Sequence, residues 1–243
     1  MKIAYIFHGH SRTWEQCYQN FFDNVYSVAP GDIFIHTWDR INAKSGSHWN
    51  GWEDQTQGVL EEKSSKTIDF EGIKKSYNPK HIIVETDRGT DYLKSRYNKH
   101  IPNSHLGVKN MLESSLKAFE MARQYEKYDK YFSTRLDINY LSKLDINELN
   151  SSNLLIPKTA YDGKYPYIFD IWTAGSEEQL ETKTNFYNAI DDYWYNYTDN
   201  FHAYIYECAL KQYYNLIIKY KHKLLRNKYC APRIIGEPTF WSR

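Results

Sequence analysis

With 243 residues the chain is long enough for one large domain with a real core, although length alone also permits two small ones. Its 31 Lys and Arg against 30 Asp and Glu give a formal net charge of +1, which argues against a general polyanion binder and removes nucleic acid from the expected partners. Cys17, Cys208 and Cys230 stand far apart with no CxxC pair, so they read as free thiols in a reducing compartment, not as a zinc or disulfide framework.

Taken in chain order, Lys2 to Phe7 is a nearly continuous apolar run that ends in His8-Gly9-His10-Ser11-Arg12. Such a run fits a strand covered on both faces, as in a parallel sheet under helices. The apolar stretch of about seven residues ahead of His8 is too short for a secretory signal. No run approaches the roughly 18 apolar residues of a membrane span, and a cytoplasmic protein is expected. Thr13 to Val28 carries Trp14, Cys17, Tyr18, Phe21, Phe22 and Val25 at helical spacing, and Ala29-Pro30-Gly31 stops it. Asp32 to Trp38 is a second strand, so the chain opens as β-α-β, with Gly9 to Arg12 at the carboxyl end of the first strand. Ligands of open α/β sheets sit at that edge.

Residues 40 to 67 are polar and contain Trp49 and Trp52, and they read as an ordered or semi-ordered loop. Ile82 to Val84 is a third strand. Val108 to Tyr125 is a helix with Val108, Leu112, Leu116, Phe119 and Ala122 along one stripe and Glu113/Lys117 as an i,i+4 pair. Tyr131 to Leu136 is a fourth strand, followed by Asp137. Leu154 to Ile156 and Phe169 to Thr173 are short strands, and Phe201 to Tyr220 is a long helix. Strands alternate with helices without a break, which predicts an α/β fold: a single Rossmann-like domain over residues 1–243, with a mixed, mostly parallel sheet between helices. It would divide at about residue 137 into halves of 1–137 and 138–243.

The chemistry concentrates in Tyr131-Phe132-Ser133-Thr134-Arg135-Leu136-Asp137. Two residues apart on a strand, Arg135 and Asp137 would share a face. A carboxylate there is able to ligate a divalent ion that bridges a diphosphate, and a guanidinium beside it is able to hold a phosphate. An ordinary salt-bridged strand end has the same residues.

The chain resembles small GT-A-type glycosyltransferases of bacterial surface-polysaccharide (capsule and lipopolysaccharide) clusters and of large viruses. Four segments carry the resemblance, in order: Phe7-His8-Gly9-His10-Ser11-Arg12; Phe34-Ile35-His36-Thr37-Trp38-Asp39; Arg135-Leu136-Asp137, standing where related enzymes have Asp-x-Asp; and Asp170-Ile171-Trp172-Thr173-Ala174-Gly175-Ser176. The resemblance implies transfer of a sugar from a nucleotide-sugar donor to a surface glycan or lipid-linked glycan. Gly9, His10, Arg12, Asp39, Arg135 and Asp137 would bind the donor. Asp137 would hold a divalent metal, Mn or Mg, with one carboxylate where the related motif has two. If the enzyme inverts, Asp170, or failing it Glu207, would serve as the base that takes the acceptor's proton, whereas a retaining transfer needs no such base. Trp172 and Gly175 would line the acceptor site; Trp49 and Trp52, in a polar loop, would either cover the site as a lid or pin that loop to the sheet. The basic stretch Lys219 to Lys228 is either a solvated helix face or, with a lipid-linked acceptor, a contact with the inner face of a membrane.

Other readings stand beside these. Gly9 to Arg12 also reads as a plain turn, Asp39 as a strand cap, and His36 as a hydrogen-bonded core histidine. Glu207 is either paired or catalytic. A nucleotidyltransferase would need a richer Gly/Lys/Arg loop than Gly9 to Arg12. A non-catalytic carbohydrate-binding protein of the same fold would keep the aromatic surface without donor binding.

Overall fold

The computed structural model describes residues 1–40, 67–86, 103–152, 154–157, 172–184, 223–225 and 231–232. β1 (Ile3–His8) and β2 (Asp32–Trp38) are parallel, with Ala4 opposite Asp32 and His8 opposite His36. Every residue of β1 is buried, as a continuous apolar run under two layers of helix requires. The crossover helix α1 (Trp14–Phe21) puts Trp14, Cys17 and Phe21 into the core. The helix expected through Val28 changes form before its end: Phe22–Tyr26 has π geometry, with Ser27 N–H donating to Phe22 O at 2.9 Å. The wider turn brings Phe21 and Tyr26, five positions apart, to a ring separation of 6.1 Å.

α2 (Phe70–Tyr77) begins at Asp69, whose side chain accepts from Gly72 N–H, and ends at Asn78 in a left-handed conformation. β3 (His81–Glu85) then pairs with the outer side of β2 as a half-buried edge. α3 (Asn103–Tyr125) starts ahead of the expected Val108. β4 (Lys130–Arg135) returns to the other side of β1, Ile3 opposite Lys130 and His8 opposite Arg135. β5 (Ile138–Asn139) pairs with β9 (Ala231–Pro232) in a separate ribbon. α4 (Ile146–Asn150), β6 (Leu155–Pro157), β7 (Trp172–Gly175), α5 (Glu177–Thr184) and β8 (Lys223–Leu225) complete the described elements.

The large sheet has the order β3-β2-β1-β4-β7-β6-β8. Only β7 runs against the others, so the sheet is mixed and mostly parallel, as expected. On one face Tyr5, Phe7 and Phe132 pack with Trp14 and Phe21 of α1, Tyr77 of α2 and Trp172. On the other, Ala4, Ile6, Phe34 and Tyr131 pack under Ala118, Phe119 and Ala122 of α3 and Leu180 of α5. Each of the larger apolar side chains, such as Phe7, Phe132, Ile6 and Leu180, contributes about 1.5–3 kcal/mol on burial.

One expected stripe is corrected. On α3, Leu112, Phe119 and Ala122 are buried, but Leu116 is only half-buried, while Lys109, Glu113, Ser114 and Ser115 are buried. The carboxyl half of α3 covers Ala4, Ile6 and Phe34, whereas its earlier turns lie over His8 and His36, where the sheet is polar. The helix expected at 201–220, the loop at 41–66 and residues 158–171 lie outside the described residues.

Candidate functional site

From β1 the chain moves outward through β2 to β3, then returns to β4 on β1's opposite side. That reversal opens a crevice above the carboxyl ends of β1 and β4, the usual ligand position in such sheets. Arg12, Arg135 and Asp137 all stand there.

Gly9 leaves β1 at φ +88°, and a Cβ added to it would meet no atom within 4 Å. The dihedral, not lack of space, therefore calls for glycine. Its N–H donates to Ser114 Oγ at 2.8 Å. Ser11 O accepts from Trp14 N–H at 2.8 Å and starts α1. Between them Arg12 takes φ +23°, sparsely populated for a residue with a Cβ and costing on the order of 1–3 kcal/mol. Its guanidinium comes within 3.6 Å of Asp137 Oδ2.

Arg135 is the last residue of β4, and Asp137 lies beyond the strand, so the two do not share a strand face as expected. They fold onto each other: Arg135 Nε donates to Oδ1 at 2.7 Å and Nη2 to Oδ2 at 2.5 Å, a bidentate fork. The Asp137 side chain is 2% exposed, against 15% for Arg135 and 21% for Arg12. Burial pushes the Asp137 carboxyl up, but Arg135 and Arg12 more than offset this and hold it below the ordinary aspartate range. The carboxylate is charged, and among the described residues two guanidiniums stand against that one carboxylate, so this group of three carries a net positive charge. A divalent ion at Asp137 would have to displace the fork and sit beside both arginines. Among the described residues no group of three or more His, Cys, Asp or Glu gathers to hold an ion. The described donors at Asp137 do not fit a divalent cation.

His8 lies directly beneath, opposite Arg135 on one side and His36 on the other. It is 1% exposed, and neither ring nitrogen has a hydrogen-bond partner among the described residues. Burial, then the nearby charges of Lys183 and Arg135, and His36, hold its pKa well below the ordinary value, so the ring is neutral. Ser11 Oγ and Thr37 Oγ1 are likewise buried with no hydrogen-bond partner among the described residues, and His36 Nε2 has only Glu85 at 3.6 Å. These atoms cluster at the carboxyl ends of β1 and β2. Buried polar groups are ordinarily paired; among the described residues Ser115 Oγ, Tyr131 OH, Glu148 Oε2 and Thr173 Oγ1 are in the same position elsewhere in the fold.

Ser114 ties this edge together. Its hydroxyl donates to His36 O at 3.2 Å and accepts from Gly9 N–H, and His36 Nδ1 lies 2.8 Å from the same oxygen. One donor and two acceptor positions are then filled, which places the neutral His36 proton on Nδ1. His36 is thus the buried core histidine expected, satisfied at one nitrogen, with Nε2 3.6 Å from Glu85. Glu85 instead takes Lys117 Nζ at 2.7 and 2.8 Å, and Lys117 also makes the expected pair with Glu113 at 2.8 Å. Lys117 stands 5.9 Å from the Trp38 ring centroid. Ser114→Ala is expected to cost about 1–3 kcal/mol in urea unfolding, because Gly9 N–H and His36 lose their shared partner. A change under about 0.5 kcal/mol, within the range of an ordinary surface substitution, would show that water replaces the hydroxyl.

Of the other expected site residues, His10 is half-buried, with Nδ1 3.3 Å from Arg40 O and its ring 6.3 Å from that of Trp38. Asp39 joins β3 by its backbone, Asp39 N–H to Glu85 O at 2.8 Å, and accepts from Ile68 N–H at 3.0 Å. Trp172 is a core residue, 1% exposed and stacked on Phe132 at 5.1 Å. Gly175 faces Tyr131 at the start of β4, the edge away from the crevice. A Cβ there would come within 2.6 Å of Gln179 Oε1 and 2.9 Å of Leu154 Cδ1, so close packing requires this glycine. Neither residue joins the arginine cluster. Asp170, Glu207, Trp49 and Trp52 lie outside the described residues. A surface cavity of about 330 Å³ beside Gly31, Asp32 and Tyr77 opens at the amino end of β2, again the opposite edge.

Sequence reasoning missed Ser114, Glu85 and Lys183. The Ser114-Ser115 pair inside an apolar helix pattern was the available signal, since hydroxyls on a buried stripe need polar neighbours. No known family model matches this sequence, and no curated protein matches it as a relative. No described helix is long and apolar enough to cross a membrane.

Proposed function

We propose that this protein is a nucleotide-sugar-dependent glycosyltransferase of GT-A-like architecture, acting on a surface-glycan or lipid-linked glycan acceptor. The observation that carries the reading is the convergence of the Gly9–Arg12 loop with Arg135 and Asp137 above β1 and β4, where the strand order reverses. A diphosphate matches that cationic crevice in charge and in hydrogen-bonding capacity. The four motif segments that resemble glycosyltransferases supply the sugar. The mixed, mostly parallel sheet between helices agrees with the architecture that resemblance implies.

Within this reading Arg12 and Arg135 bind and orient the donor phosphates and offset charge on the leaving nucleoside diphosphate as the glycosidic bond breaks. The backbone turn at Gly9 lets the donor approach the end of β1. Asp170, with Glu207 as the second candidate, removes the proton from the acceptor hydroxyl.

A panel of nucleotide sugars tests the reading. At least one should raise the melting temperature and release its nucleoside diphosphate slowly by hydrolysis, or quickly with an oligosaccharide acceptor. A panel that neither stabilises the protein nor turns over would overturn it. Asp170→Asn is expected to keep donor-induced stabilisation and lose about 10²-fold or more in transfer. Full activity of Asp170→Asn alongside an inactive Glu207→Gln would move the base to Glu207.

A further inference from the structure

We propose that Asp137 is the holder of a two-arginine anion clamp, in which Arg12 and Arg135 take the donor diphosphate directly without a bridging divalent cation. The donor's identity as a nucleotide sugar rests on the function proposed above; the clamp itself rests on geometry. An aspartate that ligates a metal presents its oxygens to the ion. Asp137 presents both to Arg135, at 2.7 and 2.5 Å, with Arg12 at 3.6 Å from one of them. Its side chain is nearly sealed from solvent, whereas both guanidiniums are partly open. The outward-facing part of the cluster is therefore the cationic part.

The surroundings agree. Lys183 from α5 reaches Ser133 Oγ at 3.4 Å, two residues before Arg135 on the same strand. His8, opposite Arg135 in the ladder, and Ser11, the residue before Arg12, are buried with side-chain polar atoms that have no partner among the described residues. The Ser11 hydroxyl beside two guanidiniums suits phosphate oxygens, while a neutral imidazole such as His8 serves a phosphate or a metal ion equally and does not separate the two. Asp137 then resembles the carboxylate that sets a guanidinium's plane: it fixes the forked donors where a diphosphate arrives, so less side-chain freedom is lost on binding. Arg12 and Arg135 come from segments more than a hundred positions apart, and their common carboxylate is what joins them.

The test uses the full-length protein and isothermal titration with inorganic pyrophosphate and with the four common nucleoside diphosphates, in EDTA and, for the nucleotides, in excess manganese. Manganese alone is titrated separately. The clamp predicts binding in EDTA, a change of less than about threefold when manganese is added to a nucleotide titration, and no manganese site that depends on Asp137. Arg12→Gln and Arg135→Gln should each weaken binding about tenfold or more, and affinity should fall as salt rises. Arg12, farther from Asp137 and more exposed than Arg135, is the milder site to change, and circular dichroism with thermal melting of Arg12→Gln checks that the variant titrated is folded. Nucleotide binding that requires manganese, together with manganese binding lost in Asp137→Asn, would overturn the clamp while leaving a nucleotide-sugar enzyme intact. Binding in EDTA that neither arginine variant weakens would also overturn it. Arginine-dependent binding in EDTA without turnover of any nucleotide sugar would uphold the clamp and remove the transferase reading.

Discussion

Asp137→Asn is expected to destabilise the fold by about 3–5 kcal/mol and to lower sugar transfer about 10²-fold or more. The carboxylate is 2% exposed and holds a bidentate arginine and a second arginine at 3.6 Å. Asparagine keeps the shape, loses the charge, and directs an NH2 group at a guanidinium that has only donors. The stability loss follows from removing the bidentate carboxylate from a partly buried cation, and the rate loss from misplacing both guanidiniums. A double-mutant cycle separates these effects. Asp137→Asn combined with Arg135→Gln should lose less stability than the two single losses added together, by about 1–3 kcal/mol, because their interaction is removed only once. Additive losses would mean that the fork contributes nothing to the folded state.

Acidification is expected to weaken the fold well before carboxylates titrate. Both His8 and His36 are held below the ordinary histidine pKa, burial being the largest cause at each. Below about pH 6.5 the unfolded chain takes up a proton at each position while the folded chain does not, so unfolding gains. His8, the more deeply shifted, should cost up to about 1.4 kcal/mol between roughly pH 7.5 and 5.5, with His36 adding to it. Asp137 acts in a separate window. Its depressed pKa stabilises the fold above about pH 4, and that contribution is lost only as pH falls through the folded value. Urea midpoints at the two upper pH values, compared between the natural protein and His8→Leu, measure the first effect. The variant should lose roughly half of the pH dependence, and an unaltered slope would show that His8 does not resist protonation.

The sheet was readable because its central strands are apolar on both faces: Ile3 to Phe7 and Ile33 to Ile35 have no other good use than burial. Their placement side by side, with β4 on the far side of β1, was not readable locally, since register forms between segments distant in sequence. The edge at which Gly9–Arg12, Arg135 and Asp137 lie followed from strand direction alone. Their mutual geometry did not. Strand periodicity put Arg135 and Asp137 on one face, but β4 ends at Arg135 and the turn lets the two side chains meet. Trp172 shows the converse limit: an aromatic beside Gly175-Ser176 suits a pocket rim or a core, and the ring of Phe132 beneath it decided for the core. Ser114 was hidden because a helical stripe predicts which face is buried, not that the sheet under one end of that helix is polar.

The position of β1 in the middle of the sheet also bears on how the protein is made. β1 leaves the ribosome before both of its neighbours, and one of them, β4, follows about 127 residues later. At synthesis rates of about 5–20 residues per second, that edge of β1 stays unpaired for on the order of 6–25 s. An apolar strand with open N–H and C=O groups is then a template for pairing with other chains. Production of this protein should therefore be sensitive to the supply of chaperones that cover nascent chains, and its aggregates should form during translation more than after release.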